Sequence, residues 1–216
     1  MAWERRIMRT VRVRNEHKIG VLANLMAAIA GMSASVGSIE LINETAHSVV
    51  RDITVYADDA EHMDKVIEAM RANPGTRVIE VRDEVLALHI KGKIAIRSRF
   101  PIDSIATLRR VYTPGVAEVC LKIADDPALA RLYTSVSHMV AIVTDGTAVL
   151  GLGDIGPLAA MLVMEGKAML METLVGLSGV PILLNTKNPD EIVQAVSAIA
   201  PTFAAIQLED ISAPRC

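Results

Sequence analysis

The sequence predicts an α/β protein built from two domains, an α+β domain followed by an α/β domain with a mostly parallel sheet. Two observations predict this class. Residues 1–88 show strand and helix patterns in the order β-α-β-β-α-β, which is the ferredoxin-like split unit. In residues 101–216, apolar strands alternate with helices, as is typical of a parallel sheet covered by helices. Residues 89–100, rich in basic side chains, are predicted to be a solvated linker.

The composition argues against several classes of function. The chain of 216 residues has a formal net charge of −3 and only 3% aromatic residues, so a nucleic-acid-binding surface is not expected. Two cysteines do not make a disulfide framework. We find no signal-peptide pattern, and the most apolar stretch is interrupted by Asp145 and Asp154. We therefore expect a cytoplasmic protein, and the mean hydropathy of +0.37 predicts apolar surface that meets another subunit or domain.

In the N-terminal domain, alternating apolar residues predict strands, and apolar residues spaced three to four apart predict helices. The predicted elements are a strand over 9–14, a helix over 21–32, strands over 38–43 and 49–56, a helix through 63–70 that stops at 73–75, and a strand over 78–88. Asp58 and Asp59 are candidate N-caps of the second helix, because a carboxylate there accepts from free amides.

The C-terminal domain is predicted from the same patterns. Its elements are helices over 103–111, 116–124 and 127–132, strands over 139–144 and 148–152, a helix over 156–176, a strand over 180–185, a helix over 189–199 and a strand over 203–208. A tight turn at residues 145–146 is expected to join the first two of these strands.

A glycine-rich segment, residues 151–156, follows a predicted strand and opens a helix, which fits the dinucleotide-binding pattern G-x-G-x-x-G. Two features weaken that interpretation. Asp154 would place a carboxylate where a helix N-terminus favours an anionic ligand, and the next strand ends in Asn185 instead of an acid. The residues alone leave three possibilities open: a cofactor loop, a loop that binds a small carboxylate such as an organic acid, or a structural turn.

Two side chains could carry proton transfer. Tyr112 precedes Thr113 and Pro114, and a lone tyrosine in such a turn is usually structural. Lys167 lies among apolar residues of a predicted helix, where partial loss of water would suit it to act as a base. A lysine that reaches solvent along its stem, or one paired with an acid, fits the same pattern.

Glu209 and Asp210 follow the last apolar strand, at the end where α/β sheets bind ligands. Two carboxylates suit Mg²⁺ or Mn²⁺, with water and substrate completing the coordination. Neighbours in an extended strand point to opposite faces, so both can bind one ion only if the chain turns there. A solvated strand end is the alternative.

Residues 15–22, together with the order of elements, resemble the ACT family. That resemblance implies a domain that pairs edge to edge in a homodimer and binds an amino-acid effector near the turn before the first helix. Asn15 and Gly20 are the candidate residues of that turn, since glycine lets a ligand approach the backbone closely. A domain that only dimerises, with Gly20 merely closing a loop, is equally compatible.

Residues 101–216 resemble the smaller bacterial malic enzymes. The matching stretches, in the family's order, are 112–117, 143–156, 163–167, 186–190 and 208–211. The resemblance implies oxidative decarboxylation of malate to pyruvate and CO₂, with NAD or NADP and with Mg²⁺ or Mn²⁺. It further implies Lys167 as general base, Tyr112 as general acid and Glu209 and Asp210 as metal ligands. Gly151, Gly153 and Asp154 are then assigned to a substrate loop.

The resemblance also has gaps. A third acidic metal ligand and the main NAD(P)-binding domain are expected beyond Cys216, so the chain is interpreted as a fragment that is inactive alone. Ala148 stands near the place of an arginine that pairs with a malate carboxylate in larger malic enzymes, which leaves that carboxylate without a partner. A malolactic outcome is not distinguished. The alternative from another class is a non-catalytic regulatory module that joins an amino-acid-sensing domain to an organic-acid-binding domain.

Overall fold

The computed structural model describes residues 7–216, which divide into two compact units between Ile90 and Lys91. The predicted linker, 89–100, is therefore shared between the units. In the second unit, the main-chain N of Lys93 donates to Glu165 at 2.9 Å and its Nζ donates to the carbonyl of Leu162 at 2.7 Å. Within residues 7–216, no helix has the length and apolar character needed to cross a membrane.

The first unit contains an antiparallel sheet with the strand order β2-β3-β1-β4. The elements are β1 (Ile7–Glu16), α1 (Val21–Gly31), β2 (Ser35–Glu44), β3 (Ser48–Ala57), α2 (Ala60–Ala72) and β4 (Thr76–Arg82). This is the predicted β-α-β-β-α-β arrangement. The helices and the sheet enclose a core of Val, Ile, Leu and Met side chains, centred on Leu25, Ile29, Ile53 and Met70.

The start of helix α2 follows the predicted capping. The carboxylate of Asp59, not that of Asp58, accepts from the amide of His62 at 2.8 Å, and it satisfies one of the free amides of the first turn. The helix ends where Asn73 becomes extended before Pro74.

The prediction of a strand through residue 88 was wrong. Strand β4 ends at Arg82, and residues Glu84–His89 form helix α3. Asp83 caps it by accepting from the amide of Leu86 at 3.0 Å. The apolar run at 85–88 does not by itself distinguish a helix from a strand, and the side-chain cap decides the outcome.

The second unit contains a parallel sheet with the order β6-β5-β7. Its elements are α4 (Ile105–Val111), α5 (Val116–Asp125), α6 (Ala130–Tyr133), β5 (Met139–Thr144), α7 (Pro157–Val175), β6 (Ser178–Leu183), α8 (Pro189–Ile199) and β7 (Ala205–Leu208). Helix α7 packs on the sheet through Met164 and Ala168, against Ile142 of the central strand. The predicted alternation of strands and helices around a parallel sheet is confirmed.

The predicted strand over 148–152 was wrong. These residues form a loop whose one β-type contact is an isolated bridge between Val149 and Gly153. Gly151 and Gly153 have φ angles of +76° and +73°, which an extended strand cannot contain. The chain therefore turns back on itself within the glycine-rich segment.

Candidate active site at the carboxyl end of the parallel sheet

Three loops leave the parallel sheet at the same edge, because its strands all run in one direction. The loop after β6 is tied to the end of β5 by a hydrogen bond from the amide of Leu184 to the carbonyl of Thr144, 2.9 Å long. The loop after β7 is tied in the same way, from the amide of Glu209 to the carbonyl of Val143 at 2.9 Å. This edge is where α/β sheets bind ligands.

Helix α7 brings Lys167 to this edge. The Nζ of Lys167 lies 3.0 Å from Oε1 of Glu209, with 33% of the lysine side chain and 22% of the glutamate side chain exposed. The other oxygen of Glu209 accepts from the side-chain amide of Gln207. Of the interpretations open for Lys167, the structure supports a lysine paired with an acid, and that acid is a predicted metal ligand.

Asp210 provides the turn that two neighbouring ligands require. Its φ angle is +53°, so the chain leaves the extended path directly after Glu209. Oδ2 of Asp210 is buried and has no hydrogen-bond partner among residues 7–216. Burial raises the pKa of Asp210, the charge of Glu209 raises it further, and Lys167 opposes both.

A divalent cation fits this pair of carboxylates. A buried carboxylate oxygen without a partner is costly, and a hard cation satisfies it with the oxygen ligand that Mg²⁺ and Mn²⁺ prefer. In the part of the chain that the structure describes, no cluster of three or more His, Cys, Asp or Glu side chains could hold a metal ion. Glu209 and Asp210 are neighbours at a turn and could supply two ligands of such an ion.

The glycine-rich loop is closed by hydrogen bonds to Gly146, whose carbonyl accepts from the amides of Ile155 and Gly156 at 3.1 Å each. Asp154 is held by Lys187, with Oδ2 2.5 Å from Nζ. The hydrogen bond from Lys187 lowers the pKa of Asp154, so the carboxylate stays charged. Asp154 thus links the loop after β5 to the loop after β6.

A buried ion pair that sequence reasoning missed lies behind these loops. Nη1 of Arg215 lies 2.7 Å from Oδ2 of Asp145, and the aspartate is 1% exposed. Nη2 of Arg215 donates to the hydroxyl of Thr147 at 2.8 Å, and Nη1 also donates to the carbonyl of Lys187 at 3.1 Å. One signal was present: a charged residue directly after a buried strand needs a partner.

Tyr112 is not brought to this cluster. It lies at the end of helix α4, in a turn with a cis peptide bond between Thr113 and Pro114, and its side chain is 67% exposed. Within the described chain, no hydrogen bond or ion pair joins its phenol to Lys167, Glu209 or Asp210. The structure therefore assembles the predicted base and both predicted metal ligands, and leaves the predicted acid apart.

In the first unit, Asn15 and Gly20 occupy different environments. Asn15 is 1% exposed, and its amide donates to Thr76 at 2.9 Å. Gly20 has a φ angle of +88° and open space around the position of a side chain. Asn15 borders a cavity of about 330 Å³, which is also lined by Arg14, Glu16, His47, Ser48, Gly75, Thr76 and Arg77.

Comparisons with known proteins match most of the second unit to a known family. Residues 94–189 match the family described as malic enzyme, N-terminal domain. The chain is 48% identical to NAD-dependent malic enzyme of Geobacillus stearothermophilus, covering 96% of this chain and 43% of the relative. It is 46% identical to NAD-dependent malic enzyme 1 of Bacillus subtilis (strain 168), covering 97% of this chain and 48% of the relative.

A solved structure shows the same fold in part. The crystal structure of NAD-dependent malic enzyme from Thermotoga maritima is 44% identical with a TM-score of 0.59, over 61% of this chain and 38% of that one. The chain spans less than half the length of these relatives. Residues 94–189 match the malic enzyme N-terminal domain family, and the chain is similar to bacterial NAD-dependent malic enzymes over 96–97% of its own length.

Proposed function

We propose that this protein acts in the oxidative decarboxylation of malate to pyruvate and CO₂, as part of a longer malic enzyme. One observation carries the proposal. The Lys167–Glu209 ion pair lies beside the unpartnered carboxylate oxygen of Asp210, at the ligand-binding edge of a sheet, in a homologue of malic enzymes. A base beside a site for a divalent cation is what oxidation of a hydroxy acid needs.

The chain's own residues then have separate roles. Glu209 and Asp210 would hold Mg²⁺ or Mn²⁺, which when bound polarises the hydroxyl and a carboxylate of malate. Lys167 would take the proton of the C2 hydroxyl, and NAD or NADP, when bound, would supply the acceptor for the hydride of C2. Loss of CO₂ leaves the enolate of pyruvate, and Tyr112 would supply the proton that C3 then needs. Tyr112 is exposed and has no bond to Lys167, Glu209 or Asp210 within the described chain. Its proposed role therefore requires contacts outside that cluster.

Two further roles are proposed for the first unit. A homodimer is supported by strand β2, an exposed edge of ten residues that carries Ile39 and Leu41 on its surface. An amino-acid effector near Asn15 and Gly20 is supported by the cavity that Asn15 borders and by the open space at Gly20.

The test is malate-dependent formation of NADH or NADPH by the full-length protein, titrated with Mn²⁺. Glu209→Gln and Asp210→Asn should each raise the Mn²⁺ concentration for half-maximal rate at least about 10-fold. Glu118→Gln, which alters an exposed acid on helix α5, is the matched control. Full-length protein that binds malate yet never reduces NAD or NADP would contradict the proposal and favour the non-catalytic module.

A further inference from the structure

The loops that carry the proposed metal ligands are joined by one side chain. Arg215 follows Asp210 in the same loop, and its guanidinium contacts all three loops at the sheet edge. Nη1 binds Asp145 of the β5 loop at 2.7 Å and the carbonyl of Lys187 of the β6 loop at 3.1 Å. Nη2 binds the hydroxyl of Thr147 at 2.8 Å and also the hydroxyl of Ser212 in its own loop.

Asp145, the partner of Arg215, also has both of its carboxylate oxygens hydrogen-bonded. Oδ1 of Asp145 accepts from the amide of Thr147 at 3.0 Å and from its hydroxyl at 2.6 Å, while Oδ2 accepts from Arg215. With Asp145 1% exposed, both carboxylate oxygens are satisfied by protein groups. The pair is thus unavailable for a ligand, and its effect must be exerted through the residues that it holds.

Those residues are hydrogen-bonded to the chain at Asp210 and just after it. The hydroxyl of Thr147 accepts from the amide of Ser212 at 3.0 Å, and the amide of Ala148 donates to the carbonyl of Asp210 at 2.9 Å. Residues 209–212 are therefore fastened to residues 147–148 by two amide hydrogen bonds, and Thr147 is held in turn by Asp145 and Arg215. A left-handed residue such as Asp210 keeps its conformation only when its surroundings fix it.

We infer that the buried Asp145–Arg215 pair positions the turn that presents Glu209 and Asp210. This deepens the proposed function, since the turn matters chemically only if those carboxylates bind the metal. A forked guanidinium can bind three loops at once, whereas a lysine ammonium is a point charge. Orientation of metal ligands by the groups behind them commonly changes metal affinity by about 10–100-fold.

Three variants of the full-length protein test the inference. Arg215→Lys keeps the charge opposite Asp145 but loses the fork. The double variant Asp145→Asn/Arg215→Met removes both charges, so that no buried charge is left alone if a single variant fails to fold. Arg82→Met is the matched control, because it takes a guanidinium from a buried aspartate, Asp52, in the first unit.

Hydrogen–deuterium exchange of the amides of Ala148 and Ser212 is the first measurement. We expect exchange in segments 147–148 and 209–212 to become at least about 10-fold faster in both Arg215 variants, with strand β1 unchanged. Arg82→Met should make exchange in strand β1 faster and leave exchange in segments 147–148 and 209–212 unchanged. Unchanged protection of Ala148 and Ser212 in a folded Arg215→Lys protein would overturn the inference.

Mn²⁺ binding followed by electron paramagnetic resonance is the second measurement. The dissociation constant should rise about 10–100-fold in both Arg215 variants and stay unchanged in Arg82→Met. An equal affinity in all four proteins would overturn the positioning role while leaving the proposed function intact. If the unaltered protein bound no Mn²⁺, the proposed metal site would fail, and the exchange measurement would still decide whether the pair holds the turn.

Discussion

Nζ of Lys167 lies 3.0 Å from Oε1 of Glu209, and this ion pair ties helix α7 to the turn after strand β7. The proposed base and a proposed metal ligand are therefore direct neighbours. Substitutions at the two positions cannot be treated as independent, because residues that share an interaction show coupled effects. The roles of the catalytic groups are best separated by comparing partial reactions.

Lys167 and Tyr112 should fail at different steps in the full-length protein. Lys167→Ala should slow hydride transfer from malate by about 10²–10⁴-fold, the usual effect of losing a general base. Tyr112→Phe should lose overall turnover yet still reduce added oxaloacetate, which needs no proton at C3. Tyr133→Phe, at another exposed tyrosine, is the control. Oxaloacetate reduction lost as fully in Tyr112→Phe as in Lys167→Ala would show that the assigned roles are wrong.

Asp52 should make the stability of the first unit depend on pH. The hydrogen bond from Arg12 at 2.7 Å, with Arg82 adding to it, lowers the pKa of this buried carboxylate below its unfolded value. The contribution of the ionised carboxylate to the free energy of unfolding is therefore complete above the unfolded pKa of about 3.9. It is lost as the pH falls through the folded pKa. Asp52→Asn should lower the unfolding free energy by about 2 kcal/mol at pH 7, less than for a fully buried pair.

Urea unfolding at pH 7 and at pH 3 measures this effect. The difference in unfolding free energy between pH 7 and pH 3 should be smaller in Asp52→Asn than in the unaltered protein. Asp64→Asn, at an exposed carboxylate of helix α2, should leave it unchanged. An equal pH dependence in Asp52→Asn would show that the carboxylate contributes nothing.

Gly146→Ala should destabilise the second unit by more than about 3 kcal/mol. Gly146 has a φ angle of +70°, and an added Cβ would lie 2.3 Å from the carbonyl carbon and oxygen of Gly156, which are backbone atoms that cannot swing away. Gly151→Ala is the matched control, since its φ is +76° and the space around it is open. Strain alone should cost that variant about 1–2 kcal/mol. Equal melting temperatures of the two variants would contradict the steric argument.

Light scattering should show a dimer at roughly tens of micromolar protein, a concentration above the dissociation constants of weak dimers. Leu41, 59% exposed on the edge strand β2, is the residue to alter. Leu41→Lys should shift the protein toward the monomer, because charged side chains protect sheet edges from pairing. A monomer in the unaltered protein would count against edge pairing.

Local patterns predicted the elements whose ends carry their own signals. The helix Pro189–Ile199 begins at a proline after an asparagine cap, and both of its predicted ends are confirmed. The strand Met139–Thr144 is confirmed in the same way, since an apolar run followed by Asp145 and Gly146 leaves little choice of end. The strand predictions for 84–88 and 148–152 were wrong. An apolar run was overridden by a side-chain cap in the first segment and by left-handed glycines in the second.

The candidate site likewise contains residues that local patterns could predict and residues that they could not. Lys167 could be proposed from its place among apolar residues of a helix, and Glu209 and Asp210 from the end of a strand. The structure pairs Lys167 with Glu209, the neighbour of Asp210. The Asp145–Arg215 pair joins residues 70 apart, and no local pattern specifies which cation a buried aspartate will find. The role of Tyr112 depends on contacts outside the cluster and stays a prediction.

The contact between Lys93 and Glu165 restricts the rotation of helix α7 about its own axis. Successive residues of a helix are turned by about 100°, so Glu165 and Lys167 point about 200° apart, toward opposite flanks of α7. One flank is fastened to Lys93 at 2.9 Å and the other to Glu209 at 3.0 Å. Helix α7 cannot roll about its own axis without breaking both contacts, and the direction in which Lys167 points is set from both sides at once.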